Sequence, residues 1–132
     1  MNDTKVYEYP KDKQPSIRTV MMPRDTNAVG TIFGGVILSH IDLAAATEAH
    51  LLHPGKLVTI SFDQVEFKQP VFVGDLVSFF TETLRVGRTS ITVGVSVWAQ
   101  RSRKRGELVH VTEGRVTLVA VDENLKPTPI VR

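Results

Sequence analysis

Only one stretch of this chain carries a helical pattern, from about Gly34 to Leu52, and everything after it reads as strand. Steps of 100° per residue from Val36 gather Ser39, His40, Thr47 and His50 on one side of that helix and leave a broad apolar arc opposite. Pro54-Gly55 supplies the stop signal. Parallel strands need a crossover between each pair, and one helix cannot provide them. The economical architecture is therefore α+β, an antiparallel sheet of about five strands packed on a single helix. The breadth of the apolar arc predicts a sheet that curves around the helix on more than one side.

The strands are read from their alternation. Ser16 to Met22 forms a short first strand stopped by Pro23, and a polar stretch, Arg24 to Asn27, leads into a glycine-bearing turn before the helix. Val58, Ile60 and Phe62 alternate with polar residues and are assigned to the core. Val65 and Phe67 keep the opposite parity, so the strand either bulges near Asp63 or is buried on both faces. A third strand, Asp75 to Val86, turns through Gly87-Arg88 into a fourth, Ser90 to Arg101. Ile91, Val93, Val95, Val97 and Ala99 line one face of the fourth strand, and Thr92, Gly94, Ser96, Trp98 and Gln100 the other, with Trp98 expected at a subunit contact. Glu107 to Val121 is the last strand. An open sheet exposes its edge strands, and pairing with a second copy is a common way to cover them.

A chain of 132 residues, 42% hydrophobic and 23% charged, suits one domain, expected over residues 16–132 and preceded by a flexible arm, residues 1–15. The net charge of +2 argues for neither a nucleic-acid nor a membrane partner. No cysteine means no disulfide, thiolate metal site or cysteine nucleophile. Met1 to Pro15 lacks the apolar run of about 7 to 15 residues of a signal peptide, and no stretch approaches the ~20 apolar residues of a spanning helix, so a cytoplasmic location is the default.

Within the helix, Asp42 falls in the apolar arc beside Leu38, Ala45, Ala46 and Ala49. A carboxylate there either has a task or lies at the margin of the arc and hydrogen-bonds a neighbour. Glu48, projected between Ile37 and Ile41, is its rival, and periodicity cannot rank the two. The bland reading of Glu48 is a satisfied buried ion pair.

Asn27-x-x-Gly30-x-Ile32-Phe33-Gly34-Gly35, followed by Asp42, resembles the signature of hotdog-fold acyl-CoA thioesterases of the YciA-like type. The likeness continues through Phe67 to Asp75, Val86 to Ser90 and Val95 to Trp98, and covers the chain from about Arg18 to Val121. Four blocks in order make it specific. The resemblance implies a hotdog fold, in which an antiparallel curved sheet wraps one long central helix. It also implies a homodimer as the minimal unit, often assembled as a trimer of dimers, that hydrolyses acyl-CoA to CoA and a carboxylic acid. In that family the site spans the dimer interface, with the Asn from one subunit and the Asp from the other. Here those positions are Asn27 and Asp42, with backbone amides near Gly34 and Gly35 facing the thioester oxygen. Asp42 would act as general base on water or attack the carbonyl directly, and no metal or cofactor is needed. Glu48 departs from the family, which usually has an apolar residue there.

The same resemblance places Arg88, Thr89 and Ser90 near CoA, with Arg88 on phosphate; the simple alternative is a solvated turn. Arg101-Ser102-Arg103-Lys104-Arg105 reads as a soluble loop, and His40, His50 and His53 lack the spacing of a metal site. Two other functions compete with hydrolysis. A hotdog hydratase needs a His where Asp25-Thr26-Asn27-Ala28-Val29 is followed by Gly30, so it fails on chemistry. A non-catalytic acyl-CoA sensor usually carries an added regulatory segment, for which 132 residues leave little room, and needs no Asn27 and Asp42 pair.

Overall fold

The computed structural model describes residues 7–131. Strands β1 (Ile17–Val20), β2 (Leu57–Asp63), β3 (Leu76–Val86), β4 (Ser90–Gln100) and β5 (Leu108–Ala120) form one sheet in the order β1-β3-β4-β5-β2. Every neighbouring pair is antiparallel. The helix α1 (Gly34–Leu52) lies on one face and packs on β2, β3, β4 and β5 alike. The expected wrapping of one helix by one sheet is what the structure shows.

Three bulges help the sheet curl. Ile60 is the extra residue of β2, Leu84 of β3 and Val111 of β5, and each bulge increases the local twist. The inner face is apolar and continuous: Val77 and Phe79 from β3, Ile91 to Ala99 at alternate positions of β4, and Val116, Leu118 and Ala120 from β5 close on Ile37, Ile41, Ala44, Ala45 and Ala49 of α1. The alanines let the helix approach closely, while fully burying a side chain such as Phe79 contributes about 1.5–3 kcal/mol.

The expected core positions on β2 are corrected. Val58, Ile60 and Phe62 are exposed, Ile60 to 60%, whereas Leu57 packs on the core and Thr59 turns toward α1. The bulge lies at Ile60 rather than near Asp63, and β2 ends where Gln64 adopts a positive φ of 59°. Val65 and Phe67 follow outside the strand, so the parity change has two causes: an early bulge and the end of the strand at Asp63. β2 is also an edge strand, so one side of its backbone has no strand partner among the described residues.

On the outer face, the segment preceding β1 lies over the sheet. Tyr9 meets Phe80 and Trp98 edge-on at ring-centroid distances of 5.4 and 5.6 Å, and Lys13 donates to the Thr81 carbonyl at 2.7 Å. Trp98 does point away from the aliphatic face, but this chain itself covers it. The portion of the arm from residue 1 to 6 lies outside the described residues.

Candidate active site

The loop before α1 is closed by Asn27. Its Oδ1 accepts the N–H groups of Val29 and Thr31 at 3.0 and 3.1 Å, and its Nδ2 donates to Thr31 Oγ1 at 2.9 Å. Gly30 takes a φ of +92° here, a conformation that favours glycine. The loop delivers Phe33 to the N-cap, where no side chain caps the helix. First-turn N–H groups, those of Gly34 and Gly35 among them, therefore face outward without a capping side chain. At Gly35 a Cβ would come within 2.8 Å of the Phe33 ring, so any larger residue displaces that ring. A pocket of about 270 Å³ opens at this end, lined by Thr31, Gly34, Phe67 and the residues that follow it to Val71.

Asp42 lies two turns further along. It is half-buried, and one carboxylate oxygen accepts a 2.6 Å hydrogen bond from Thr59 Oγ1 on β2. Ala45 and Ala49 beside it are buried while Leu43 is exposed, so Asp42 stands at the margin of the arc rather than inside it. No cation pairs with it among the described residues. Seven helical steps separate Gly35 from Asp42, about 10 Å along the axis, well beyond hydrogen-bond reach.

The expected coenzyme residues are elsewhere again. Arg88, Thr89 and Ser90 occupy the turn between β3 and β4, closed by Gly87 N–H donating to the Ser90 carbonyl at 2.7 Å. Arg88 is exposed; Thr89 and Ser90 are half-buried. A single chain spends the Asn27 side chain on its own loop, and the pocket at the helix start is lined by neither Asn27, Asp42 nor Arg88.

The thioesterase superfamily is matched by residues 29–105. The chain belongs to that superfamily. A hexameric hotdog fold thioesterase of Campylobacter jejuni is 48% identical, with a TM-score of 0.85 over 90% of this chain and 91% of its own. The hexameric thioesterase from Yersinia pestis is 36% identical at a TM-score of 0.84, over 92% of this chain and 98% of its own. Among curated relatives, the acyl-CoA thioester hydrolase YciA of Salmonella typhimurium is 38% identical over 86% of this chain and 87% of its own. The fold of this thioesterase-superfamily chain is the hotdog.

Three features of this superfamily member go beyond what its residue pattern signals. Thr59, the partner of Asp42, carried no signal beyond its place on β2 opposite the helix. Glu48 has no counter-ion among the described residues; Thr81 and Thr83 donate to its two oxygens at 2.8 and 2.9 Å, so the bland reading of an ion pair is replaced by a neutral hydroxyl cradle. The two threonines share the inward parity of Val77 and Phe79, which is the signal that could have found them. Arg101 does not belong to a solvated loop. Its guanidinium is 8% exposed and meets the fully buried Asp75 at 2.7 Å, while also donating to the Pro70 carbonyl. Asp75 further accepts the N–H groups of Phe72 and Ser102, which ties the segment after the pocket to the β4–β5 turn. Among the described residues no group of three or more His, Cys, Asp or Glu could hold a metal ion, and no helix is long and apolar enough to cross a membrane.

Proposed function

We propose that this chain is an acyl-CoA thioesterase, hydrolysing acyl-CoA to free CoA and a carboxylic acid. The observation that carries the reading is Asp42: a half-buried carboxylate with one oxygen fixed by Thr59 and no counter-ion among the described residues, in a chain of the thioesterase superfamily. As general base, Asp42 takes a proton from water while the water oxygen bonds to the thioester carbon. The carbonyl oxygen becomes an oxyanion, stabilised by amides near Gly34 and Gly35 and by the positive end of the α1 dipole. The C–S bond then breaks and the CoA thiolate leaves, taking up a proton. In the covalent route an Asp42 oxygen attacks the carbonyl itself, and water opens the resulting anhydride. A single turnover in oxygen-labelled water identifies the covalent route if the acid product emerges unlabelled. Neither route needs a cofactor or metal.

The site is shared between subunits on this reading. The ~10 Å that separates Gly35 from Asp42 within one helix supports it, as does the uncovered apolar edge built from Leu43, Leu51, Val58, Ile60 and Phe62. Asn27 and the helix start of one copy would face Asp42 of a second, in a homodimer that assembles further as a trimer of dimers. Asn27 orients the water or binds the thioester through the amide hydrogen its loop leaves over. Arg88 meets coenzyme phosphate, with Thr89 and Ser90 donating beside it. The reading also takes the enzyme to be cytoplasmic, which cell fractionation checks.

Subunit mixing tests the shared site. Asn27→Ala and Asp42→Ala proteins are each expected to be nearly inactive, and mixed dimers to regain activity because one of their two sites is intact. No recovery in verified mixed dimers would overturn the arrangement.

A further inference from the structure

The turn that carries Arg88 is held from behind by residues 128–131. Ile130 is buried in the core at 5% exposure, and its N–H donates to the Arg88 carbonyl at 2.9 Å. The next amide, that of Val131, donates to Nδ1 of His53 at 3.1 Å, and His53 is itself buried at the C-cap of α1. Thr128 N–H donates to the Ala120 carbonyl at 2.9 Å, while Ala120 N–H donates to that of Thr89 at 2.9 Å. The backbone of Arg88 and Thr89 is therefore tied to two separate parts of the chain. By contrast, the Arg88 side chain is exposed and makes no hydrogen bond or ion pair with any described residue.

Closing the turn does not require this, because the bond from Gly87 to Ser90 already does so. We infer that residues 128–131 are a strap that positions Arg88 for the phosphate of CoA, with Ile130 as its anchor and His53 as its second tie. The inference rests on Arg88 as the phosphate ligand. An arginine must order a long side chain to make a directional bond with phosphate, and a fixed backbone lowers the cost of that ordering. Ile130 and His53 act through Arg88 and are positioning residues, distant from the thioester itself.

The test compares an acyl-CoA with the matching acyl-pantetheine, which carries no phosphate. Ile130→Ala is expected to raise KM for the acyl-CoA several-fold, with kcat and the KM for acyl-pantetheine near wild type, and Ile130→Val to restore most of the loss. In an Arg88→Ala background, Ile130→Ala should add nothing further. An equal rise for both thioesters, or a full additional rise in that background, would overturn the strap. If Arg88→Ala leaves KM for acyl-CoA unchanged, the phosphate role of Arg88 falls and the strap with it; if Arg88→Ala raises KM and Ile130→Ala does not, the strap alone falls. Should Ile130→Ala fail to fold, Val131→Pro goes through the same assays with the same outcomes deciding, since it deletes the N–H donated to His53 and leaves Ile130 in place.

Discussion

Asp42 and Glu48 stand six residues apart on α1 and end in opposite circumstances. Glu48 projects into the middle of the buried arc, between Ile37 and Ile41, and both its oxygens are taken up by Thr81 and Thr83. Asp42 stands at the edge of that arc, where Thr59 engages one oxygen only. The more central carboxylate is thus the more fully satisfied, and its charge is spread into two hydroxyls of its own chain. The peripheral one keeps an oxygen for something else, on the side of the molecule where β2 is an uncovered edge. Both carboxylates are half-buried, so burial does not rank them; the oxygen left unengaged nominates Asp42.

The strongest way to break this contrast is to remove Asp42. Asp42→Ala is expected to lower kcat by about a hundred- to ten-thousand-fold, the usual worth of a general base, with the folded assembly intact. Free-thiol release from acyl-CoA measures it, and near-wild-type turnover by a folded variant would take Asp42 out of the mechanism.

Glu48→Ala should strike stability instead. It strips the acceptor from half-buried Thr83 and one of two partners from Thr81, which keeps Ser16, and losing such hydrogen bonds costs about 0.5–1.5 kcal/mol each. Denaturant unfolding reads the loss, while kcat per folded site stays close to that of the parent. A variant that folds with undiminished stability but has lost its kcat would exchange the two roles.

How far the sequence carries this contrast depends on what kind of information each step needs. The bounds of α1, Gly34 to Leu52, are legible because a glycine turn and Pro54-Gly55 mark both ends locally. Strand order and edges are not local. Alternation places Val58, Ile60 and Phe62 on a strand, yet it says nothing of whether another element covers them, and the bulge at Ile60 leaves no composition mark. Asp42 and Asn27 were legible as candidates through their spacing in the motif. The partners that set the two carboxylates apart were not, since Thr59, Thr81 and Thr83 lie 17 to 35 residues away along the chain. For the same reason the sequence does not pair Asp75, at the start of the third strand, with Arg101, 26 residues away in a run that reads as a soluble loop.

The finest test of the contrast is Thr59. Thr59→Val keeps the branched shape on β2 and removes only the hydroxyl, so Asp42 keeps its charge and loses the bond that orients it. Loss of that positioning is expected to lower kcat about fivefold, which corresponds to ~1 kcal/mol of transition-state stabilisation, with KM nearly unchanged. Thr59→Ser, which retains the donor, should recover most of the rate. The parallel change Thr83→Val, made beside Glu48, should leave kcat alone and shift only stability, since both Glu48 oxygens are engaged by threonines of its own chain. Equal kinetic effects from the two threonine variants would mean that both carboxylates feel the reaction and that the division of labour along α1 is wrong.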